Sequence, residues 1–439
     1  MKDVLILGAG LVAKPIVEYL LENGFTLTIA SRSVGKAAYL IHSNPQGEAV
    51  AWTVDNKSAL EDMIRNHRIT VSLLPPGFHV EVAGSCLRNR KPMVTTSYVK
   101  KEMQDLNDDA IKAGVLILNE MGLDPGIDHM SAMKIIDNVH DKGGKVDDFY
   151  SICGALPAPE AADNPFRYKF TWSPAGVIQA SKNGALYMKN GKKVTVDGEK
   201  LFSDRFETDF PGIGSLEVYP NRDSVSYIDV YGIPEARTIF RGTFRFRGWC
   251  EALDVMKSIG MLDDNIRDYT GFTYADFIKE RAGITGKDIP GSLREVLNLR
   301  ENDIALKALE WLGFFTDTDM GHTHISPFGI TSGLMIGKMS LKKDERDMIV
   351  LQHIVNTSYP GGRKETIKAS LVDFGTPATN TAVARTVAFP AAIAVKLILT
   401  GEMILSGVHR PVLPEIYNPV LRELENLGIK MHEELTEMS

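Results

Sequence analysis

The sequence predicts an α/β protein that opens with a parallel, doubly wound sheet and continues into a mixed α+β region. Three observations carry this. The first 120 residues alternate short apolar runs with stretches of helical spacing, the pattern of buried strands joined by crossover helices. A glycine-rich turn at residues 8–13 joins the first apolar run to the first helical stretch. The chain is 439 residues long, more than one core supports, so two or three domains are expected.

The elements follow in order. Val4-Leu5-Ile6-Leu7 is a short apolar run of buried-strand type. Ile16, Val17, Leu20 and Leu21 give residues 14–23 a helical face, which Gly24 ends. Further strands are expected over 25–30, 50–54, 70–74, 92–96 and 115–118, with helices over 57–66 and 101–113. After about residue 125 the rhythm changes. Residues 149–243 are strand-like, broken by the turn signals Asn190-Gly191 and Asp197-Gly198. Helical patterns dominate 248–342. Two strand signals, 348–355 and 366–374, flank Tyr359-Pro360-Gly361-Gly362 and read as a hairpin. The last 60 residues look helical. The expected domains are a nucleotide domain over 1–125, joined again by helices from about 390–439, a mixed α+β domain over 126–250 and 345–389, and a helical insertion over 251–344.

Composition narrows the function. A net charge of −7 argues against a nucleic-acid partner and leaves room for a local basic pocket that holds a small anion. Cys86, Cys153 and Cys250 are far apart, with no CxxC pair and no His cluster, so neither a metal site nor a disulfide framework is expected. A reducing, cytoplasmic setting fits. The opening apolar run is too short for a secretory signal. The most apolar later segment, 387–399, is interrupted by Pro390 and Lys396 and reads as a buried helix, so no membrane partner is expected.

Gly8-Ala9-Gly10-Leu11-Val12-Ala13 is a GxGxxA dinucleotide fingerprint. Gly8 permits the tight turn, Gly10 lets the backbone approach a pyrophosphate, and Ala13 allows close helix–strand packing. The second strand runs into Ser31-Arg32-Ser33, where an NAD site usually carries an acid for the ribose 2′-hydroxyl. An arginine with flanking hydroxyls suits the 2′-phosphate of NADP. Val54 and Asp55 at the expected end of the third strand, and Leu74 and Pro75 at the end of the fourth, sit where such folds place ligands.

Later motifs are more specific. Thr96-Ser97-Tyr98, Gly122-Leu123-Asp124-Pro125-Gly126-Ile127-Asp128-His129, Cys153-Gly154-Ala155-Leu156-Pro157, Tyr219-Pro220-Asn221-Arg222-Asp223-Ser224 and Arg241-Gly242-Thr243-Phe244-Arg245 occur in that order. Together they resemble the L-glutamate-forming saccharopine dehydrogenase family, over nearly the whole chain. The resemblance implies an NADP-linked oxidoreductase that interconverts saccharopine with 2-aminoadipate 6-semialdehyde and glutamate in lysine metabolism. It implies a homodimer formed through the sheet of the second domain. It adds Thr96, Ser97, Leu123, Gly126 and Ile127 to the cofactor site, and it places Ser97, Tyr98, Asp124, Arg222, Thr243, Phe244 and Arg245 at the substrate. Asp124, Tyr98 and Cys153 are, by their position and chemistry, the acid–base candidates.

Each residue has a plainer alternative. Saccharopine carries three carboxylates, and a planar guanidinium holds a carboxylate through two parallel bonds. Arg222 and Arg245 also suit structural ion pairs. Asp124 or Asp128 suits a cap for a helix starting at Ile127. Cys153 suits a small buried hydrophobe, His129 a structural role, and Lys100 and Lys101 a solvated surface. Two other functions remain open: a polyamine-forming dehydrogenase of the carboxyspermidine type, and a catalytically silent NADP-binding sensor.

Overall fold

A computed structural model describes residues 2–301, 303–321 and 323–438. The chain divides into two units. The first comprises Met1–Val146, Val230–Gly232 and Thr357–Ser439, and the second Asp147–Asp229 and Ile233–Asn356. The first unit therefore runs past the boundary expected at residue 125.

In the first unit, strands β1 (Lys2–Leu7), β2 (Leu27–Ser31), β3 (Gly47–Ala51), β4 (His67–Ser72), β5 (Met93–Thr95) and β6 (Leu116–Leu118) alternate with helices. These are α1 (Ala13–Glu22), α2 (Val34–Ile41), α3 (Lys57–Arg65), α4 (His79–Arg88), α5 (Lys101–Gln104) and α6 (Asn107–Ala113). A longer helix, α7 (Ile127–Asp141), follows. The sheet order is β6-β5-β4-β1-β2-β3, all parallel, and the strand Gly407–His409 adds to β6. This is the doubly wound sheet of a dinucleotide-binding fold. Val4, Leu5, Ile6 and Leu7 of β1 are wholly buried, as are Ile16, Val17 and Leu20 on α1. A fully buried side chain of this size contributes about 1.5–3 kcal/mol, so this strongly apolar strand lies inside the sheet, between β4 and β2.

The first unit also takes in residues 357–389, which were expected in the mixed domain, and the helical stretch 251–344 shares one unit with the mixed sheet. The element boundaries differ only locally. β3 ends at Ala51, so Val54 and Asp55 lie in the turn beyond it, before Asn56 caps α3 through the N–H of Ala59. Residues 101–113 form two helices that break at Asp105-Leu106. The strand Gly407–His409 falls where helix was expected. So does His432–Met438, which pairs antiparallel with the strand Lys364–Phe374. The turn 359–363 is closed by the Tyr359 N–H on the Arg363 carbonyl, as a hairpin requires. The helix Ala382–Thr400 is long and apolar enough to cross a membrane by length and composition, yet 67% of its most apolar window is buried inside the protein.

In the second unit, β7 (Lys145–Pro157), which begins at the unit boundary, is followed by helix α8 (Pro174–Ala180). Strands β8 (Ala185–Lys189), β9 (Lys192–Val196), β10 (Phe206–Phe210), β11 (Gly214–Pro220), β12 (Arg222–Asp223) and β13 (Thr238–Arg245) come next. The order β10-β11-β13-β7 continues to the strand Asp347–Ser358. β13 is parallel to β7 and antiparallel to β11, so the sheet is mixed. Asn190-Gly191 joins β8 to β9 with φ of 51° and 76°, the left-handed pair a two-residue hairpin demands. Asp197 instead caps a short 3-10 turn by accepting from the Glu199 N–H. Helices dominate between Trp249 and Lys338.

Gly126 is required by close packing. Its φ is +148°, and a Cβ built on it would stand 1.9 Å from the Gly122 carbonyl oxygen. Gly126→Ala is expected to lower folding stability by roughly 3 kcal/mol or more, through strain and a backbone clash. Urea midpoints of the two proteins test this, and equal midpoints would contradict it.

Candidate active site

The nucleotide loop leaves β1 at Gly8, whose φ is +111° and whose hypothetical Cβ would lie 3.2 Å from the Leu73 carbonyl oxygen. The Gly8 N–H donates to the Ala30 carbonyl at 2.9 Å. A Cβ on Gly10 would meet nothing within 4 Å, and Leu11 is exposed. Among the described residues no acceptor meets the N–H groups of Gly10, Leu11 and Val12. Val12 precedes α1 without a side-chain cap. Open amides at a helix start, with the helix dipole behind them, fit a pyrophosphate. Arg32 follows β2 on the surface and has no ion-pair partner among the described residues. Ser31 Oγ accepts from the Ser33 N–H at 3.3 Å. A free guanidinium beside two hydroxyls fits a 2′-phosphate. Asp55 and Pro75 are exposed, and Val54, Leu74 and Thr96 are half-buried.

Two loops then meet beyond the strand ends. The segment 119–121 extends β6: the Asn119 N–H donates to the His409 carbonyl at 2.9 Å. On the other side the N–H groups of Met121 and Glu120 donate to the carbonyls of Thr95 and Ser97, each at 3.1 Å. Tyr98 is thereby brought to Asp124, and its hydroxyl donates to Oδ1 at 2.9 Å. Asp124 sits in a closed loop in which Gly122 N–H meets Pro125 O at 3.0 Å and Ile127 N–H meets Gly122 O at 2.9 Å. It does not cap α7. Gly126 holds that position, and Asp128 Oδ1 accepts from the Gly126 N–H at 2.6 Å. The Leu123 and Ile127 side chains are buried.

Ser97 Oγ lies 2.8 Å from Nε2 of His79, whose Nδ1 lies 2.9 Å from Ser72 Oγ. This imidazole is buried, and burial, aided by the charge of Lys100, pushes its pKa down to about 4. A neutral imidazole thus bridges the ends of β4 and β5.

In the second unit, Thr243, Phe244 and Arg245 end β13. Cys153 on β7 is buried and in register with Thr243. Arg245 is also buried, with its guanidinium 4.9 Å from the Tyr168 ring, 5.6 Å from Trp249 and 5.9 Å from Tyr219. Nη1 donates to the Phe244 carbonyl at 2.8 Å, and Nε has no partner. No carboxylate pairs with it among the described residues. A buried cation is costly unless an anion meets it, so the structural ion-pair reading of Arg245 falls and a site for an anion remains. The Phe244 side chain is fully buried against Phe210 at 5.8 Å, so its side chain is part of the core. Arg222 is exposed, with φ of +53° in the two-residue strand β12.

The structure brings together Ser97, Tyr98 and Asp124 in one unit, and Cys153, Thr243 and Arg245 in the other. His79, Glu120 and Arg410 were not singled out by the sequence. Arg410 meets Glu120 from 290 residues away, and His79 meets Ser72 and Ser97 across separate elements, so no local pattern marks them. Lys100 and Lys101 are exposed, and Lys101 is paired with Asp105 at 3.2 Å.

Two family models match the chain: a saccharopine dehydrogenase NADP binding domain over residues 4–118 and a saccharopine dehydrogenase C-terminal domain over residues 122–429. The chain belongs to the saccharopine dehydrogenase family. It is 36% identical to the saccharopine dehydrogenase [NADP(+), L-glutamate-forming] of Saccharomyces cerevisiae, with 98% of this chain and 99% of that protein covered. Mitochondrial alpha-aminoadipic semialdehyde synthase of Mus musculus is 35% identical over 99% of this chain, which spans 48% of that larger protein. Among solved structures, the apo saccharopine dehydrogenase (L-Glu forming) from Saccharomyces cerevisiae superposes with a TM-score of 0.91. That match has 35% identity and covers 99% of this chain and 100% of that one. Family membership accounts for the two domain types and for the motif order read from the sequence.

His79 makes folding pH-dependent. Its pKa is depressed in the folded protein, to about 4 from 6.5. The unfolded chain therefore binds the extra proton first. The stability is full above pH 6.5 and is lost as pH falls toward 4, by about 3 kcal/mol. Urea midpoints between pH 7 and pH 4.5 are expected to fall less steeply in His79→Gln than in the parent. Parallel curves would contradict this assignment.

Proposed function

We propose that the chain is an NADP-dependent oxidoreductase acting on the C–N bond of saccharopine, interconverting it with 2-aminoadipate 6-semialdehyde and L-glutamate. The observation that carries this reading is Arg245, a buried guanidinium that has, among the described residues, an unpartnered Nε and no carboxylate to neutralise it. A substrate with three carboxylates supplies the missing anion. The full-length similarity to L-glutamate-forming saccharopine dehydrogenases supports the same substrate and does not favour a polyamine substrate or a silent sensor.

The amides of Gly10, Leu11 and Val12 would hold the NADP pyrophosphate, and Arg32 with Ser31 and Ser33 its 2′-phosphate. When bound, NADP takes up or gives back a hydride. The protein's own work is binding and proton management. Arg245 and Arg222, with the Thr243 hydroxyl, bind substrate carboxylates. Tyr98 and Asp124 share one hydrogen bond. A carboxylate that accepts from a phenol is suited to hold a protonated secondary amine and to receive its proton before oxidation. Oxidation at the carbon beside that amine leaves an imine. Water adds to the imine carbon, and the C–N bond then breaks to release aldehyde and glutamate amine. Cys153 lines the same strand pair as Thr243 and is positioned for packing beside it. We further propose a homodimer in a reducing, cytoplasmic setting, which size-exclusion chromatography with light scattering and cell fractionation test.

Absorbance at 340 nm, with saccharopine and NADP, tests the reaction, and no NADPH formation by folded protein would overturn it. Arg245→Met is expected to raise the KM for saccharopine roughly 10–100-fold, the worth of a charge-assisted hydrogen bond. The KM for NADP should change less than about threefold, and equal shifts in both would argue against carboxylate recognition. Arg32→Asp is expected to lower kcat/KM with NADP by about 100-fold while sparing NAD. An unchanged NADP-to-NAD ratio would remove Arg32 from the cofactor site.

A further inference from the structure

Glu120 carries two energetic costs at one position. It is a non-glycine residue with φ of +60°, in the left-handed region. Its carboxylate is also buried, 1% exposed. Glycine would remove both costs, so the side chain must be retained by what it contacts. Oε1 accepts from the Val99 N–H at 2.8 Å and from Arg410 Nε at 3.1 Å. Oε2 stands 2.9 Å from His129 Nε2, a contact of charge range without hydrogen-bond alignment. His129 Nδ1 in turn meets the Tyr231 hydroxyl at 2.7 Å. Burial by itself would raise the Glu120 pKa. His129, Arg410 and the Val99 amide outweigh it and hold the group below the usual carboxylate range.

The backbone of the same residue completes the arrangement. The Glu120 N–H donates to the Ser97 carbonyl at 3.1 Å. One residue therefore grips the chain on both sides of Tyr98, through Ser97 O and Val99 N–H. We infer that Glu120 is a positioning residue that clamps Tyr98 from both flanks and so aims its hydroxyl at Asp124. Arg410 and His129 anchor the carboxylate that forms the clamp. The clamp itself is a statement about geometry. Its consequence for turnover rests on the saccharopine reading above.

The test uses the full chain with Glu120→Gly, which keeps the backbone N–H, relieves the φ cost and removes the carboxylate. Hydrogen exchange of the amides at 97–100 is measured against those of β1 in the same molecule. Exchange at 97–100 is expected to quicken at least about tenfold while β1 is unchanged, as local opening requires. Glu120→Gln, which retains an acceptor for Val99, is expected to stay within about threefold of the parent. Should the glycine variant not fold, Glu120→Met keeps the bulk and withholds the acceptor, with the same expected loss. Unchanged exchange at 97–100, or equal loosening of β1, would overturn the clamp.

Kinetics give the second readout. Glu120→Gly is expected to lower kcat/KM for saccharopine roughly 10–100-fold, the scale of a misplaced catalytic group. NADP affinity should change less than about threefold. In a Tyr98→Phe background the same substitution should cost less than about threefold, because Glu120 acts through the Tyr98 hydroxyl. Additive losses would overturn the clamp. If the parent protein does not turn over saccharopine, the reaction reading fails, and the exchange comparison alone still decides whether the clamp exists.

Discussion

Parallel pairing in the first unit sends every strand's carboxyl end to the same edge of the sheet. The loops after β1, β2, β4, β5 and β6 therefore emerge side by side, although they are spread over more than 100 residues of sequence. Gly8 to Val12, Arg32, Ser97 and Tyr98, and Asp124 share that edge for this reason. The constraint is physical: a buried strand must satisfy its ladder on both sides, and a crossover helix can return only to the same starting edge. The strand Gly407–His409 extends the same sheet, and it carries Arg410 to the edge beside Glu120.

Buried charge is handled in two ways. Glu120 accepts from an amide and a guanidinium and stands beside an imidazole. Its charge is met inside the protein, and it behaves as scaffold. Arg245 is surrounded by aromatic rings and one carbonyl, with Nε unmet. Ring faces stabilise a cation without cancelling its charge. Such a cation still favours an anion from outside, whereas Glu120 has none left to attract. His79 is a third case, since burial removes its charge altogether. A neutral imidazole joins Ser72 to Ser97 without adding a competing cation near the nucleotide loop.

Much of the fold was legible because it rests on local pattern. The apolar run at Val4–Leu7, the GxGxxA turn and the Asn190-Gly191 hairpin each carry their geometry in adjacent residues. Strand ends were less legible: β3 stops at Ala51, and beyond it the buried Trp52 donates Nε1 to the Asn56 carbonyl, a contact periodicity does not register. The two C-terminal strands were missed since each is short or exposed and gains its stability from a partner far away in sequence.

The sequence by itself determined the nucleotide-binding unit, the NADP cofactor and, through the order of its motifs, the family. These rest on residues near one another in the chain or on motif identity. Only the tertiary structure decided that Asp124 meets Tyr98 rather than capping a helix, that Arg245 has no acid partner among the described residues, that the Phe244 side chain belongs to the core, and that Glu120 grips both sides of Tyr98. Each of these depends on which groups meet after folding, and a buried charge shows its role only through the partners that surround it.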